Sequence, residues 1–409
     1  MRYDTIIIGG GLSGLCCGIS LARQGQQVAI VSAGQSALHF CSGSFELYGR
    51  CENPLEGIAS LPEEHPYQKM GVELTASYAE QVKEIFEAAA IKCTGEATRN
   101  HYCLTPIGVI KPVWLTLNDY ARFESPDRIP WRKVALVNFE GYLDFYPQFI
   151  ASGLAKYGVK SDIHSLSLTA FDNLRESSTE MRATNIARIM TGEILEQIAA
   201  YLNSHAGDAE ALFLPAAFGL FDDTAVAELR TMVSLPLYFI PTMPASVPGV
   251  RTQIQLQGYF QKIGGTYLLG DNVVSGEIEE GRLKSVKTAN HGDMSLSATN
   301  FVIASGSFFS HGLIASQESI REPIFGLDIY ADEQREEWYD KDLYSHQAYM
   351  GYGVITDSKF RCSIGGRSIE NLYAAGSILA HQNALDEGTG GGVAITTALF
   401  VADEILRSK

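Results

Sequence analysis

The apolar positions open with Thr5-Ile6-Ile7-Ile8, a β-branched run without polar alternation, the pattern of a strand covered on both faces. Glycines follow at once, at Gly9, Gly10, Gly11, Gly14 and Gly18. A helical stretch then runs to about Arg23 and stops at Gly25, and Val28-Ala29-Ile30-Val31 repeats the buried-strand pattern. Further along, periodicity predicts helices over 76–90, 192–203 and 251–263, the last closed by Gly264-Gly265. Strands are predicted at 133–138, 212–214, 237–240 and 266–269. Residues 273–299 alternate in short runs broken at Glu280-Gly281 and His291-Gly292, which predicts a β-meander. Two further strands, 301–304 and 371–376, run into small residues, and a helix from 393 to about 406 follows Gly388-Thr389-Gly390-Gly391-Gly392.

This order predicts an α/β chain: a Rossmann-like FAD/NAD(P)-binding fold of the two-dinucleotide-binding flavoprotein type with an inserted α+β cap domain. Residues 1–74 and 246–409 are expected to form a discontinuous flavin-binding domain, and 75–245 an inserted cap or substrate domain. Strand, glycines, helix, glycine stop and strand at the start make a complete βαβ unit, a far stronger signal than G-x-G-x-x-G alone. Gly9 permits the tight turn and Gly11 lets backbone N–H groups approach a phosphate. Gly14 and Gly18 let the helix lie close to the sheet. Ser32 stands where dinucleotide binders usually carry Asp or Glu for an adenosine ribose. That counts against NAD and leaves the flavin nucleotide open. The terminal glycines open a helix whose positive end suits negative charge on a reduced flavin ring.

Composition narrows the partners. The 409 residues are 46% hydrophobic, enough for a large core, and carry a net charge of −16, which argues against nucleic acid and against anionic lipid. The most apolar stretch, 212–221, is short and broken by Pro215 and Gly219, so no membrane span is expected. Asp4 and the early glycines argue against a secretory signal, so a cytoplasmic location is expected, with any membrane association through a partner. Seven cysteines without a CxxC pair fit neither a disulfide framework nor a zinc or iron–sulfur site, and no metal is expected.

Several segments carry a closer likeness: RYDTIIIGGGLSGL (2–15), GQSALHFCSGSFELYG (34–49), RATNIARIM (182–190), PAAFGL (215–220), ASGSFFS (304–310), REPIFGLD (321–328), and the terminal NLYAAGSIL and GGGVA. Through them the whole chain resembles the flavoprotein B-subunits of the bacterial anaerobic glycerol-3-phosphate dehydrogenases. The resemblance implies oxidation of sn-glycerol 3-phosphate to dihydroxyacetone phosphate, with FMN as the expected cofactor and FAD as the alternative. It implies a hetero-oligomer with a larger FAD-containing catalytic subunit and a membrane-associated iron–sulfur subunit. That third subunit would pass electrons to the quinone pool for fumarate or nitrate respiration, placing this chain in the cytoplasm, peripherally attached through its partner.

Cofactor contacts are expected from Gly9, Gly11, Gly14, Ser32, Ser42, Gly43, Gly306, Gly376, Ser377, Gly390, Gly391, Gly392 and Val393. Alcohol oxidation needs a base for the hydroxyl proton and a cation for the substrate phosphate. His311 and His381 rank equally as the base, with His39 behind them. Arg321 leads Arg251 and Arg188 as the phosphate clamp, and Arg367 follows. The readings set against this one are an NAD-dependent dehydrogenase, and an electron-relay or non-catalytic assembly subunit whose partner does the chemistry.

Overall fold

A computed structural model describes residues 2–177 and 180–408. The chain divides into two units. The first comprises Met1–Ala37, Glu46–Ala90 and Leu256–Lys409; the second comprises Leu38–Phe45 and Ile91–Gln255.

The first unit is built on an eight-stranded sheet. Its strands are β1 (Arg2–Ile8), β2 (Val28–Ser32), β3 (Thr266–Leu269), β4 (Val273–Glu279), β5 (Arg282–Thr288), β6 (Ser295–Ile303), β7 (Arg361–Ile364) and β8 (Arg367–Ala374). They run in the order β3-β2-β1-β6-β5-β4, with β8 joined to β6 and β7 to β8. Besides β1, β6 serves two further neighbours. Its residues 295–297 pair antiparallel with β5, closing the expected meander, while Phe301, Val302 and Ile303 pair in parallel with Leu372, Tyr373 and Ala374 of β8. β1 lies parallel between β2 and β6, with Ile6, Ile7 and Ile8 beside Phe301, Val302 and Ile303. These residues are buried, as continuous apolar runs in a two-sided parallel sheet should be. The parallel strands β1, β2, β3, β6 and β8 therefore end at one edge of the sheet. Helices α1 (Leu12–Arg23), α2 (Val72–Ala88) and α3 (Gly390–Arg407) complete the unit, with α3 packed on both α1 and α2.

The observed division falls away from 75 and 245. Residues 75–90 lie in the first unit because α2 buries its apolar face there. Its Tyr78 hydroxyl donates to Asp403 of α3, and Arg23 of α1 donates to the Glu84 carbonyl. Residues 38–45 lie in the second unit because Ser44–Phe45 pairs antiparallel with Leu115–Leu117. The return to the first unit comes inside the helix Val247–Lys262, between Gln255 and Leu256.

The second unit has the expected α+β features, two three-stranded antiparallel sheets, and adds a four-stranded parallel sheet. The parallel strands are ordered Lys160–Leu166, Lys133–Phe139, Ala211–Pro215 and Leu237–Ile240. Helices Pro147–Ala155, Gly192–His205 and Thr224–Met232 lie between successive strands, the long crossovers that parallel pairing demands. The sequence pattern hid Lys160–Leu166 because this edge strand is polar and largely exposed.

Candidate cofactor and active site

The carboxyl edge of the first unit's sheet gathers most of the glycines singled out above. Gly9 turns the chain out of β1 at φ +114°, and a Cβ there would lie 2.2 Å from the Ala304 carbonyl oxygen at the end of β6. Gly14 lies so close to that turn that a Cβ would sit 1.9 Å from the Gly9 oxygen. Both glycines are thus demanded by the chain's own packing. Gly11 is different. It precedes α1, and a Cβ would meet only the Ser36 Cβ at 3.6 Å, an ordinary contact. The fold leaves room at Gly11, beside backbone N–H groups that the helix cannot satisfy.

The same edge continues through β6 and β8. Gly306 (φ +84°) carries the turn after β6; a Cβ there would lie 2.8 Å from Ser310 Cβ and 3.7 Å from Ser377 Oγ. Gly376 (φ +81°) carries the turn after β8; a Cβ there would lie 2.8 Å from Ser13 Cβ in α1. The Gly376 N–H donates to Thr397 Oγ1 of α3 at 2.9 Å. Gly9, Ala304, Gly306, Ser377, Gly376 and Ser13 thereby join end to end. Ser377 is exposed. Three buried polar atoms here have no hydrogen-bond partner among the described residues: Ser13 Oγ, Ser305 Oγ and Gln382 Oε1. Ser13 is only 7% exposed. Orphaned groups of this kind are costly unless a ligand or water completes them.

α3 starts on the glycines, with Thr389 as its N-cap residue. A Cβ on Gly392 would lie 2.2 Å from the Tyr67 hydroxyl, and the Gly392 N–H donates to the Glu46 carbonyl at 2.7 Å. Gly392 is therefore a packing glycine. Gly390 has only an ordinary contact, 3.5 Å to Ala384 Cβ, Gly391 lies in the same first turn, and Val393 is buried. A carboxylate holds the approach to this helix. Glu387 accepts from the Asn383 N–H, from the Thr389 hydroxyl and from His65 Nε2. Because His65 Nδ1 accepts from the Tyr67 N–H, the ring proton is on Nε2.

Ser32 is buried at the end of β2, its hydroxyl donating to the Gly34 carbonyl at 3.3 Å. The Tyr267 hydroxyl donates to the Gly10 carbonyl at 3.1 Å, and a Cβ on Gly10 would lie 2.1 Å from that hydroxyl and 2.5 Å from Ser32 Oγ. The position usually given to a ribose-binding carboxylate is thus filled by serine and tyrosine. Asp271, whose N–H donates to the Ser32 carbonyl, does not replace it. Burial pushes its carboxyl up, but bonds from Thr288, the Asn290 N–H, His291 and the Asn272 N–H outweigh that and hold it below the usual range.

The candidate bases differ in setting. His381 (φ +63°) is half-buried, its ring 4.2 Å from the Tyr330 ring and its N–H bonded to the Gly351 carbonyl. Its pKa is lowered, first by burial and then by the charge of Lys69, with Glu64 opposing. Lys69 itself is anchored to the Thr356 carbonyl and hydroxyl, and burial lowers its pKa. His311 (φ +61°) is exposed after the short turn Phe308–Ser310. Arg321 is exposed and makes no ion pair among the described residues. Its neighbour Glu322 is buried and accepts from the N–H groups of Ile324, Phe325, Gly326 and Leu327, which builds the turn that follows. Arg367 is exposed at the start of β8.

The remaining candidates belong to the second unit. Ser42 bonds Ser44, and Gly43 (φ +83°) lies against the Tyr120 ring. His39 has a lowered pKa through burial, opposed by a bond with Gln253. Arg188 bonds Asn185 on its own helix. Arg251, expected as a phosphate clamp, is instead buried and committed: its guanidinium meets Asp119 and the carbonyls of Phe218, Gly219 and Asp222. Both terminal nitrogens of its fork are engaged within the fold.

Sequence reasoning missed Ser13, Ser305, Gln382, Tyr267 and Lys69. Ser13 and Ser305 lie inside the two glycine motifs and were reachable from them. Nothing in the pattern marks the other three.

A family described as FAD binding domain matches residues 4–393. The anaerobic glycerol-3-phosphate dehydrogenase B-subunit of Yersinia enterocolitica is 42% identical over 419 aligned positions, covering 99% of this chain and 98% of that one. The protein of the same name from Pectobacterium carotovorum is 37% identical, covering 100% and 99%. Among solved structures, 3-ketosteroid delta1-dehydrogenase from Sterolibacterium denitrificans overlays with a TM-score of 0.48 at 10% identity, covering 100% of both chains.

Proposed function

This chain belongs to the FAD binding domain family and to the family of anaerobic glycerol-3-phosphate dehydrogenase B-subunits, and from that premise we propose that it is the flavin-dependent subunit of such an enzyme, oxidising sn-glycerol 3-phosphate to dihydroxyacetone phosphate. The observation that carries the reading is the edge joining Gly9, Ser13, Ser305 and Gly376, with its orphaned hydroxyls beside a helix start that the fold keeps open. The N–H groups at Gly11 and the start of α1 would hold a flavin phosphate, Ser13, Ser305, Gln382 and Ser377 would complete the polar contacts, and the positive end of α3 would favour negative charge on the reduced flavin. When bound, the flavin supplies the acceptor for the hydride lost from the carbinol carbon.

His381 takes the hydroxyl proton as the ketone forms. A histidine held neutral by burial and by Lys69 is ready to accept it at neutral pH. Arg321 binds the substrate phosphate through its free fork. The proposed flavin is FMN. With Ser32 and Tyr267 closing the space beside Gly10, the end of β2 presents a serine and not a carboxylate to a second ribose. The proposed companions are a larger FAD-containing subunit and a membrane-associated iron–sulfur subunit that carries electrons to quinone. No helix among the described residues is long and apolar enough to cross a membrane, which suits attachment through a companion.

The test is turnover of sn-glycerol 3-phosphate by the assembled complex. His381→Asn is expected to lower kcat about 100-fold or more, and in the unaltered enzyme kcat should fall on the acid side, below the ordinary histidine pKa. Arg321→Ala is expected to raise KM with little change in kcat. Full activity in both variants would move the chemistry to the companion subunit and leave this chain an electron relay.

A further inference from the structure

Between β6 and β8 the chain puts out a loop whose surface and interior contrast sharply. Residues 339–346 are all exposed, yet they close over Gln347, which is 7% exposed. The Gln347 amide pins the loop from within. Its Nε2 donates to the carbonyls of Asp340, Asp342 and Ser345, and its Oε1 accepts from the Asp340 N–H. Asp340 and Asp342 each accept a backbone N–H two residues on, from Asp342 and Tyr344. The base is fixed as well: Trp338 is buried, its indole donates to the Asp332 carbonyl, and its own carbonyl accepts from the Tyr349 N–H.

What this frame holds out is apolar. Leu343 is 79% exposed and Tyr344 95% exposed, with Tyr339 also outward. Holding such side chains in water gains the isolated chain nothing, whereas a fixed leucine and tyrosine at a loop tip suit an interface anchor, their ordering cost already met. The surroundings choose the occupant. From 332 to 346 the sequence carries Asp332, Glu333, Glu336, Glu337, Asp340 and Asp342 against Arg335 and Lys341. Anionic lipid would be repelled by that surplus. A second copy of a chain of net charge −16 would meet acid with acid.

We infer that the loop 339–346 is a docking element that seats Leu343 and Tyr344 in an apolar pocket, rimmed by Lys or Arg, on a companion subunit of the same enzyme. This rests on the reading that the chain works as one subunit of a larger dehydrogenase. Opposite charge at the rim steers and orients the encounter, while the two apolar side chains supply the buried centre.

The experiment co-expresses the tagged chain with its two companion subunits, measures which of them co-purify, and then titrates the affinity of the one that binds. The double variant Leu343→Asp, Tyr344→Ala is expected to weaken that affinity about 100-fold or more, with flavin content and thermal midpoint of the isolated chain unchanged. Glu336→Lys with Glu337→Lys, which leaves the apolar tip intact, should slow association at low salt and lose that effect at high salt. Assembly of the tip variant at wild-type affinity overturns the proposal. So does a loss confined to binding of phosphatidylglycerol–phosphatidylethanolamine vesicles, or to self-association of the isolated chain. Failure of the wild-type chain to assemble with either companion would instead overturn the subunit reading, and the docking proposal with it.

Discussion

At the scale of single residues, the glycines of one motif do different work, and substitution separates them. A methyl group at Gly14 has no room against the Gly9 carbonyl, whereas one at Gly11 has an ordinary neighbour. Gly14→Ala should therefore destabilise the flavin-free protein by about 1–3 kcal/mol or more, the range for overpacking. Gly11→Ala should leave its thermal midpoint nearly unchanged and weaken flavin binding about tenfold or more, since the added methyl blocks approach to the helix start. Equal loss of stability in both would contradict the assignment of Gly11 to the ligand. His101 makes a second prediction. Its ring lies 2.7 Å from Thr116 Oγ1, and burial, with help from the Arg122 charge, lowers its pKa to about 4 from an ordinary 6.5. The unfolded chain thus takes up a proton that the folded chain refuses. Stability is unaffected above pH 6.5 and falls as the pH drops from there toward 4, by about 2–3 kcal/mol from this residue alone. Thermal midpoints at pH 7 and pH 5 should converge in His101→Asn relative to the unaltered protein; an unchanged difference would contradict the assignment.

At the scale of elements, what could be read in the sequence and what could not follow from how each element earns its place. β1, α1 and β2 announce themselves because a two-sided parallel strand needs a continuous apolar run and a close helix needs glycine. The meander is legible from its alternation and its Glu280-Gly281 turn. Lys160–Leu166 was not, because an exposed edge strand has no apolar run, and helix Pro147–Ala155 gave no long periodic signal. Arg251 shows the same limit for side chains: sequence gives a cation near the cofactor domain, but only the fold reveals Asp119 and three carbonyls around it. Arg251→Ala should leave Asp119 without its buried partner and cost about 3–5 kcal/mol, although Arg230 still reaches Asp119 from a more exposed position. Urea unfolding checks this, and the substrate KM of whatever folds should be unchanged. A raised KM at unaltered stability would restore Arg251 as a phosphate ligand.

At the scale of the whole molecule, three stretches distant in sequence build one sheet edge, and the insertion between them is a folded unit with a parallel sheet of its own. The discontinuity was legible because the flavoprotein order of elements resumes after 250. The boundaries were not, since α2 looks like any amphipathic helix until its packing on α3 is known. Family membership agrees with the organisation that the first unit's glycines impose. The most direct test of the account is the visible spectrum of the purified chain, followed by denaturation and chromatography of whatever flavin is released. An oxidised-flavin spectrum with FMN released is the predicted result. FAD in its place would keep the site and overturn the argument from Ser32 and Tyr267, and a colourless protein that takes up no added flavin would contradict the central claim.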